Sequence, residues 1–253
     1  MSRTRVVCLA GAGSQSGRAW EVFDGIIRYL SAAGGYERSD FVEASYRVDT
    51  VGVPLPYTEE DSTRPLEEST YTVVRALEWL RRSQPFRLNL LGWSLGGVVL
   101  FDAAAALVNA DPSWARDLGA IVTISSPLLG SDLDGIDLFG ALAVGAVGAD
   151  LARRAADAER KERIYEDAAR LRAAGVRIVT IAAEEDAVVT PEDALLPADG
   201  PEPSAFVLRP RRRAGAPYLE SILGHGALPH DPICWQRVLA AIGPADAPRI
   251  GEH

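Results

Sequence analysis

Apolar residues follow two rhythms along this chain. Apolar-rich runs at Arg5–Ala10, Phe86–Leu91, Ala120–Ile124, Arg177–Ile181 and Ala205–Leu208 predict strands, the first apolar throughout, as parallel strands covered on both faces are. A further strand is predicted over Tyr46–Val53, closed by Pro54 and Pro56. Between the runs the spacing becomes helical. Trp20, Phe23, Ile27 and Leu30 fall on one face of a helix that ends near Gly34 and Gly35. Thr63–Arg82 carries the stripe Val73, Leu77 and Leu80, and Leu95–Val108 reads as an alanine-rich helix. Pro232–Ile242 closes the series, with Trp235, Val238, Leu239 and Ile242 on one face. Strands alternating with helices predict an α/β fold, a mostly parallel sheet of about six strands between helical layers.

One stretch breaks the alternation. Residues 131–174 are too long for a simple crossover. Their first half, around Leu138, Phe139 and Leu142, is apolar and small, whereas Arg153–Arg172 is densely charged and helical. The expectation is one domain over residues 1–253 with a helical cap inserted at 131–174, its charged part doubling as the crossover helix.

Composition narrows the partners. The 253 residues carry 35 acidic and 26 basic side chains, a formal net charge of -9. That balance argues against nucleic acid or an anionic membrane as the main partner. Cys8 and Cys234 both lie in apolar segments and read as small buried hydrophobes. The apolar run after Arg5 is short and ends in polar residues without a cleavage site, and no run reaches the roughly 18 apolar residues of a membrane span. A cytoplasmic protein without an integral membrane segment is expected.

The chemistry centres on Ser94, in Gly92-Trp93-Ser94-Leu95-Gly96 between a predicted strand and a predicted helix. A serine in so tight a turn projects its hydroxyl at the sheet edge, and glycines two residues either side let the backbone pass. Serine is a weak nucleophile, so a base and an orienting acid are required elsewhere. At these residues the chain resembles the α/β-hydrolase superfamily, in its lipase and esterase branch, over nearly its whole length. Thr123–Ser131 (TISSPLLGS) adds a second similarity, to a post-strand stretch of triacylglycerol lipases, with serine for threonine and leucine for histidine.

The resemblance implies an α/β-hydrolase fold and a catalytic set of Ser94, Asp186 and His225. Asp186 precedes Val-Val-x-Pro after a late strand, as the acid does in many lipases. Glu184, Glu185 and Asp193 compete for the role, as do Asp132 and Asp134, because some members carry the acid one strand earlier. His225 lies in the loop before the closing helix, whereas His230 is closer to the helix start and His253 is the last residue. The oxyanion hole is expected from the backbone N–H groups of Leu95 and Ala12, with Gly13 as the alternative second donor. Many relatives have histidine-glycine where this chain has Ala10-Gly11. Gly11-Ala12-Gly13 is a poor dinucleotide fingerprint: Gly17 comes one position late, and the next predicted strand ends in valine where an acidic residue is wanted.

Gly13, Trp93, Leu128, Leu138, Phe139 and Leu142 are expected to line the substrate site. The resemblance implies hydrolysis of an apolar acyl ester through an acyl-enzyme, with no metal or organic cofactor. A thioesterase, acyltransferase or cyclase on a carrier-bound or coenzyme A-bound chain is the alternative. There Arg209, Arg211, Arg212 and Arg213 would meet an acyl-carrier protein. A non-catalytic binding protein on the same fold is the third reading.

Overall fold

The computed structural model describes residues 4–83, 86–131, 145–198, 203–210 and 224–245. Strand β1 (Thr4–Leu9) is followed by helices α1 (Arg18–Val22) and α2 (Asp24–Gly34), and then by β2 (Phe41–Glu43). Helix α3 (Leu66–Ser83), β3 (Arg87–Trp93), α4 (Leu95–Ala110) and β4 (Leu118–Ile124) come next. Helices α5 (Gly145–Ala156) and α6 (Ala158–Ala173) lead to β5 (Arg177–Ala183), and the short α7 (Pro191–Ala194) to β6 (Ala205–Leu208). The described chain closes with α8 (Pro232–Ile242). Among the described residues the strands form one six-stranded sheet in the order β2-β1-β3-β4-β5-β6, and every pairing is parallel. The chain leaves β1 towards one edge and returns as β3 on its other side, so the order reverses between β1 and β3. In open parallel sheets the crevice at such a reversal, beyond the strands' carboxyl ends, is where ligands bind.

Successive strand residues face opposite layers. Val7, Leu9, Leu88 and Leu90 pack with α3, α4 and α6, while Val6, Cys8, Leu91 and Val122 pack with α2 and α8. Helix α4 is buried nearly all round, from Leu95 through Phe101 to Val108, as a helix apolar on every face must be. Both cysteines are buried and free, and they share one core cluster. No helix among the described residues is long and apolar enough to cross a membrane.

Two elements depart from the sequence pattern. The first helix is broken at Phe23, whose backbone leaves the helical region (φ -97°, ψ 7°). The second strand is Phe41–Glu43, in register with Val6–Cys8, and not Tyr46–Val53. The apolar content of 46–53 is overridden by turn chemistry. Asp49 Oδ1 accepts from the N–H groups of Val51 (2.9 Å) and Val53 (2.8 Å), and Gly52 takes the left-handed conformation (φ 94°). The segment becomes a loop that carries Tyr46 into the core.

Of the 131–174 insertion, residues 132–144 lie outside the described residues, and with them Leu138, Phe139, Leu142, Asp132 and Asp134. The rest packs as two helices, α5 on α3 and α6 on α4 and β5. Arg154 of α5 is buried and forks onto Asp102 of α4, Nη1 to Oδ2 at 2.6 Å and Nη2 to Oδ1 at 3.0 Å. Its Nε donates to Leu128 O at 2.6 Å.

A smaller charge holds the entry to α3. Buried Asp61 accepts from the N–H (2.9 Å) and hydroxyl (3.1 Å) of Thr58 and pairs with Arg64. Burial pushes this carboxyl up, but the Thr58 donors and Arg64 outweigh it and hold it below the usual carboxylate range. A depressed folded-state value means stability that is present above the unfolded carboxyl's pKa of about 4 and lost as pH falls below it. Asp61→Asn should therefore lower stability by about 1–2 kcal/mol at neutral pH. Urea titrations should show the gap from wild type closing as the pH is lowered through the acid range.

Candidate active site

Ser94 follows β3 directly and opens α4. Its backbone is held at φ 55°, ψ -132°, a region that side-chain-bearing residues seldom occupy. The turn is possible because its flanks lack side chains. A Cβ on Gly96 would run into the carbonyl oxygens of Leu9 and Ala10, and one on Gly92 into the backbone of Gly97. The elbow is tied to its neighbour by Ser94 N–H donating to Ile124 O at 2.9 Å.

Three loops from three strand ends meet at this hydroxyl. Ser94 Oγ lies 3.0 Å from His225 Nε2, and His225 Nδ1 lies 2.9 Å from Asp186 Oδ2. The Asp186 side chain is fully enclosed and that of His225 is 12% exposed. The second Asp186 oxygen accepts from the N–H groups of Val188 (2.8 Å) and Val189 (3.0 Å), so its own turn fixes the carboxylate's orientation. The histidine loop rests on the acid loop at Gly224 (φ 70°), where a Cβ would lie 2.9 Å from Glu185 O. Trp93 sits beneath His225: its indole N–H donates to His225 O at 3.0 Å, and the two rings are 5.2 Å apart.

The rival carboxylates have other occupations. Glu184 and Glu185 face Arg209 at 3.8 Å and 2.8 Å, which places that arginine against its own acidic neighbours. Asp193 belongs to the first turn of α7, where its N–H and carboxylate meet the Thr190 hydroxyl. His230 ends the short 3-10 turn that leads into α8, and the contact with Ser94 is made by His225. Arg211, Arg212, Arg213 and His253 lie outside the described residues.

The loop after β1 passes against the nucleophile. A Cβ on Gly11 would lie 2.7 Å from Ser94 Cβ and 3.0 Å from Ser94 Oγ, so the backbone of this loop runs close against the nucleophile. Leu95 is the first residue of α4, and its N–H has no acceptor within the helix. Gly13 is exposed with φ 71°. Leu128 is wholly buried in the core, with its carbonyl held by Arg154.

Side chains that the sequence pattern did not single out brace this loop. Burial holds the Tyr46 hydroxyl protonated well above its ordinary range, and it donates to Ala10 O at 2.6 Å. Tyr57, pushed by burial to about 12, has its hydroxyl 3.4 Å from Ser14 Oγ, and its N–H donates to Ser16 Oγ at 2.6 Å. Glu43 closes β2, so the strand does end in an acidic residue, as a dinucleotide site would want. Its carboxylate, however, accepts from Gly17 N–H at 2.9 Å and Ala19 N–H at 3.3 Å. An internal anion thus fills the helix N-terminus where a pyrophosphate would sit. The mistaken strand at 46–53 hid Glu43 from the sequence reading.

No protein-family model and no curated protein matches the sequence. Solved structures do match the fold. Aspergillus fumigatus lipase B superposes with a TM-score of 0.54 at 16% identity, over 98% of this chain and 55% of that one. Legionella pneumophila phospholipase PlaB, in complex with thio-NAD, gives 0.62 at 13% identity, over 96% of this chain and 59% of that one. Bacillus licheniformis lipase BlEst2 in its mature form gives 0.52 at 14% identity, over 82% of each chain. This chain spans a little over half the length of the first two. Sequence likeness this low speaks to architecture alone, and the parallel strand order agrees with it: the chain has the α/β-hydrolase fold.

Proposed function

We propose that the chain is a serine hydrolase that cleaves a carboxylic ester through an acyl-enzyme on Ser94. His225 takes the Ser94 proton as the hydroxyl attacks the ester carbonyl. Asp186 keeps Nδ1 protonated and balances the imidazolium. The N–H groups of Leu95 and Ala12 receive the oxyanion of the tetrahedral intermediate. His225 then returns the proton to the leaving alcohol. Water, activated by the same imidazole, releases the acid and restores Ser94.

The observation that carries this reading is the unbroken chain of contacts from Ser94 Oγ through His225 to Asp186 Oδ2, at 3.0 Å and 2.9 Å. An ester substrate fits a fold shared with lipases. The carrier-bound thioester alternative is weakened where Arg209 is already committed to Glu184 and Glu185.

A fluorophosphonate probe offered to the intact protein should label Ser94, and p-nitrophenyl esters should be turned over faster than acyl-carrier thioesters. An intact chain that stays unlabelled would favour the non-catalytic reading. Faster thioester turnover would move the substrate class to the carrier-bound chain.

A further inference from the structure

We propose that Trp93 is a positioning residue that sets the place of the His225 imidazole, and not a wall of the substrate site. The inference rests on the hydrolase reading and adds a residue to its machinery. Period-two alternation along β3 turns Leu91 and Trp93 toward the α2 and α8 layer, the layer that the histidine loop joins. Ser94, one residue on, is turned the other way by the elbow. The strand thus presents the nucleophile above and an indole beneath the base.

The bonds inside the histidine loop are local. Ala227 N–H and Leu228 N–H donate to Gly224 O at 3.2 Å and 3.3 Å, and His230 N–H donates to Ala227 O at 3.0 Å. Those bonds shape the loop without locating it on the sheet. Its far end is located by Leu228, wholly buried, and by Trp235 Nε1 donating to Pro229 O at 2.8 Å. Its start is located by Gly224 against the Glu185 and Asp186 backbone. At His225 itself the main chain is gripped by Trp93, through the 3.0 Å bond to the carbonyl oxygen. The rings lie 5.2 Å apart, within the range over which an indole attracts a cation. The same side chain that fixes the loop therefore faces the imidazole when it carries the transferred proton.

Trp93→Phe keeps an aromatic ring and removes the N–H. The expected result is a fall in kcat of about tenfold, because sub-ångström misplacement of a reacting group is felt directly in the rate. KM for p-nitrophenyl butyrate should stay within about twofold, since no substrate contact is removed. Fluorophosphonate labelling should slow in step with kcat. A raised KM with kcat intact would overturn the proposal in favour of a substrate contact. Unchanged kcat and labelling beside a wild type that labels would remove this role alone. A wild type that neither labels nor turns over ester removes the hydrolase reading, and this role with it.

Discussion

Ser94→Ala should reduce kcat toward an activated ester by about 10⁴–10⁶-fold, leaving only what the oxyanion donors and binding supply. The methyl side chain fits the same turn, so circular dichroism and urea midpoint should report a folded protein. His225→Gln should fall as far, because the hydroxyl then has no proton acceptor at 3.0 Å. Asp186→Asn should lose somewhat less, about 10⁴-fold, by a different route. The amide oxygen would keep the two N–H groups of Val188 and Val189, which turns the amide nitrogen toward His225 Nδ1. Two donors would then face each other, and the imidazole must flip to the tautomer that cannot accept from serine. The three losses should not add: Ser94→Ala combined with either partner should be no worse than Ser94→Ala alone. Steady-state hydrolysis of p-nitrophenyl butyrate by the single and double variants decides it, and a double variant markedly slower than both singles would contradict a shared relay.

The largest effect on stability is expected at Asp102 and Arg154. The Arg154 side chain is 2% exposed and that of Asp102 12% exposed, and the guanidinium also serves Leu128 O. Truncating one member of such a pair leaves the other charged and enclosed, at a cost of about 3–5 kcal/mol. Asp102→Ala should therefore be the more damaging change, since it strands Arg154. Arg154→Met should cost less, because half-exposed Arg160 stays 3.7 Å from Asp102. Replacing both by leucine and methionine should return to within about 1–2 kcal/mol of wild type, as apolar side chains of similar volume pack without the desolvation penalty. Urea denaturation of the two singles and the double tests the ordering. A double variant as unstable as Asp102→Ala would show that the fork does more than neutralise itself.

The strands β1, β4 and β5 were legible because they are apolar on both faces, as strands of a covered parallel sheet are, and β3 and β6 because they are short apolar-rich runs. Ser94 was legible from its place between a strand and a helix, whereas Asp186 and His225, which the structure brings into line with it, were implied by the family resemblance and not by any local pattern. The second strand was not legible. Phe41–Glu43 spans three residues, too few for periodicity to register, while Tyr46, Val48, Val51 and Val53 make a loop rich enough in apolar residues to read as a strand. That error concealed Glu43, Tyr46 and Tyr57, whose contacts with residues 10–19 are long-range in sequence and invisible to any local pattern. Arg154 lies in a densely charged helical stretch that gives no sign of which charge turns inward; packing reveals that it is buried with Val147 and Leu151 on α5. Trp93 stood beside the nucleophile in the sequence, but its partner lies 132 positions away.

The φ of 55° at Ser94 has a consequence for selection. Backbone held in such a region stores of order 1–3 kcal/mol, and glycine would adopt it with little resistance. Heat resistance and turnover are therefore opposed at this position. A lineage screened only for survival at high temperature would drift toward an inert chain here, and the hydroxyl persists only where its chemistry is what is being kept.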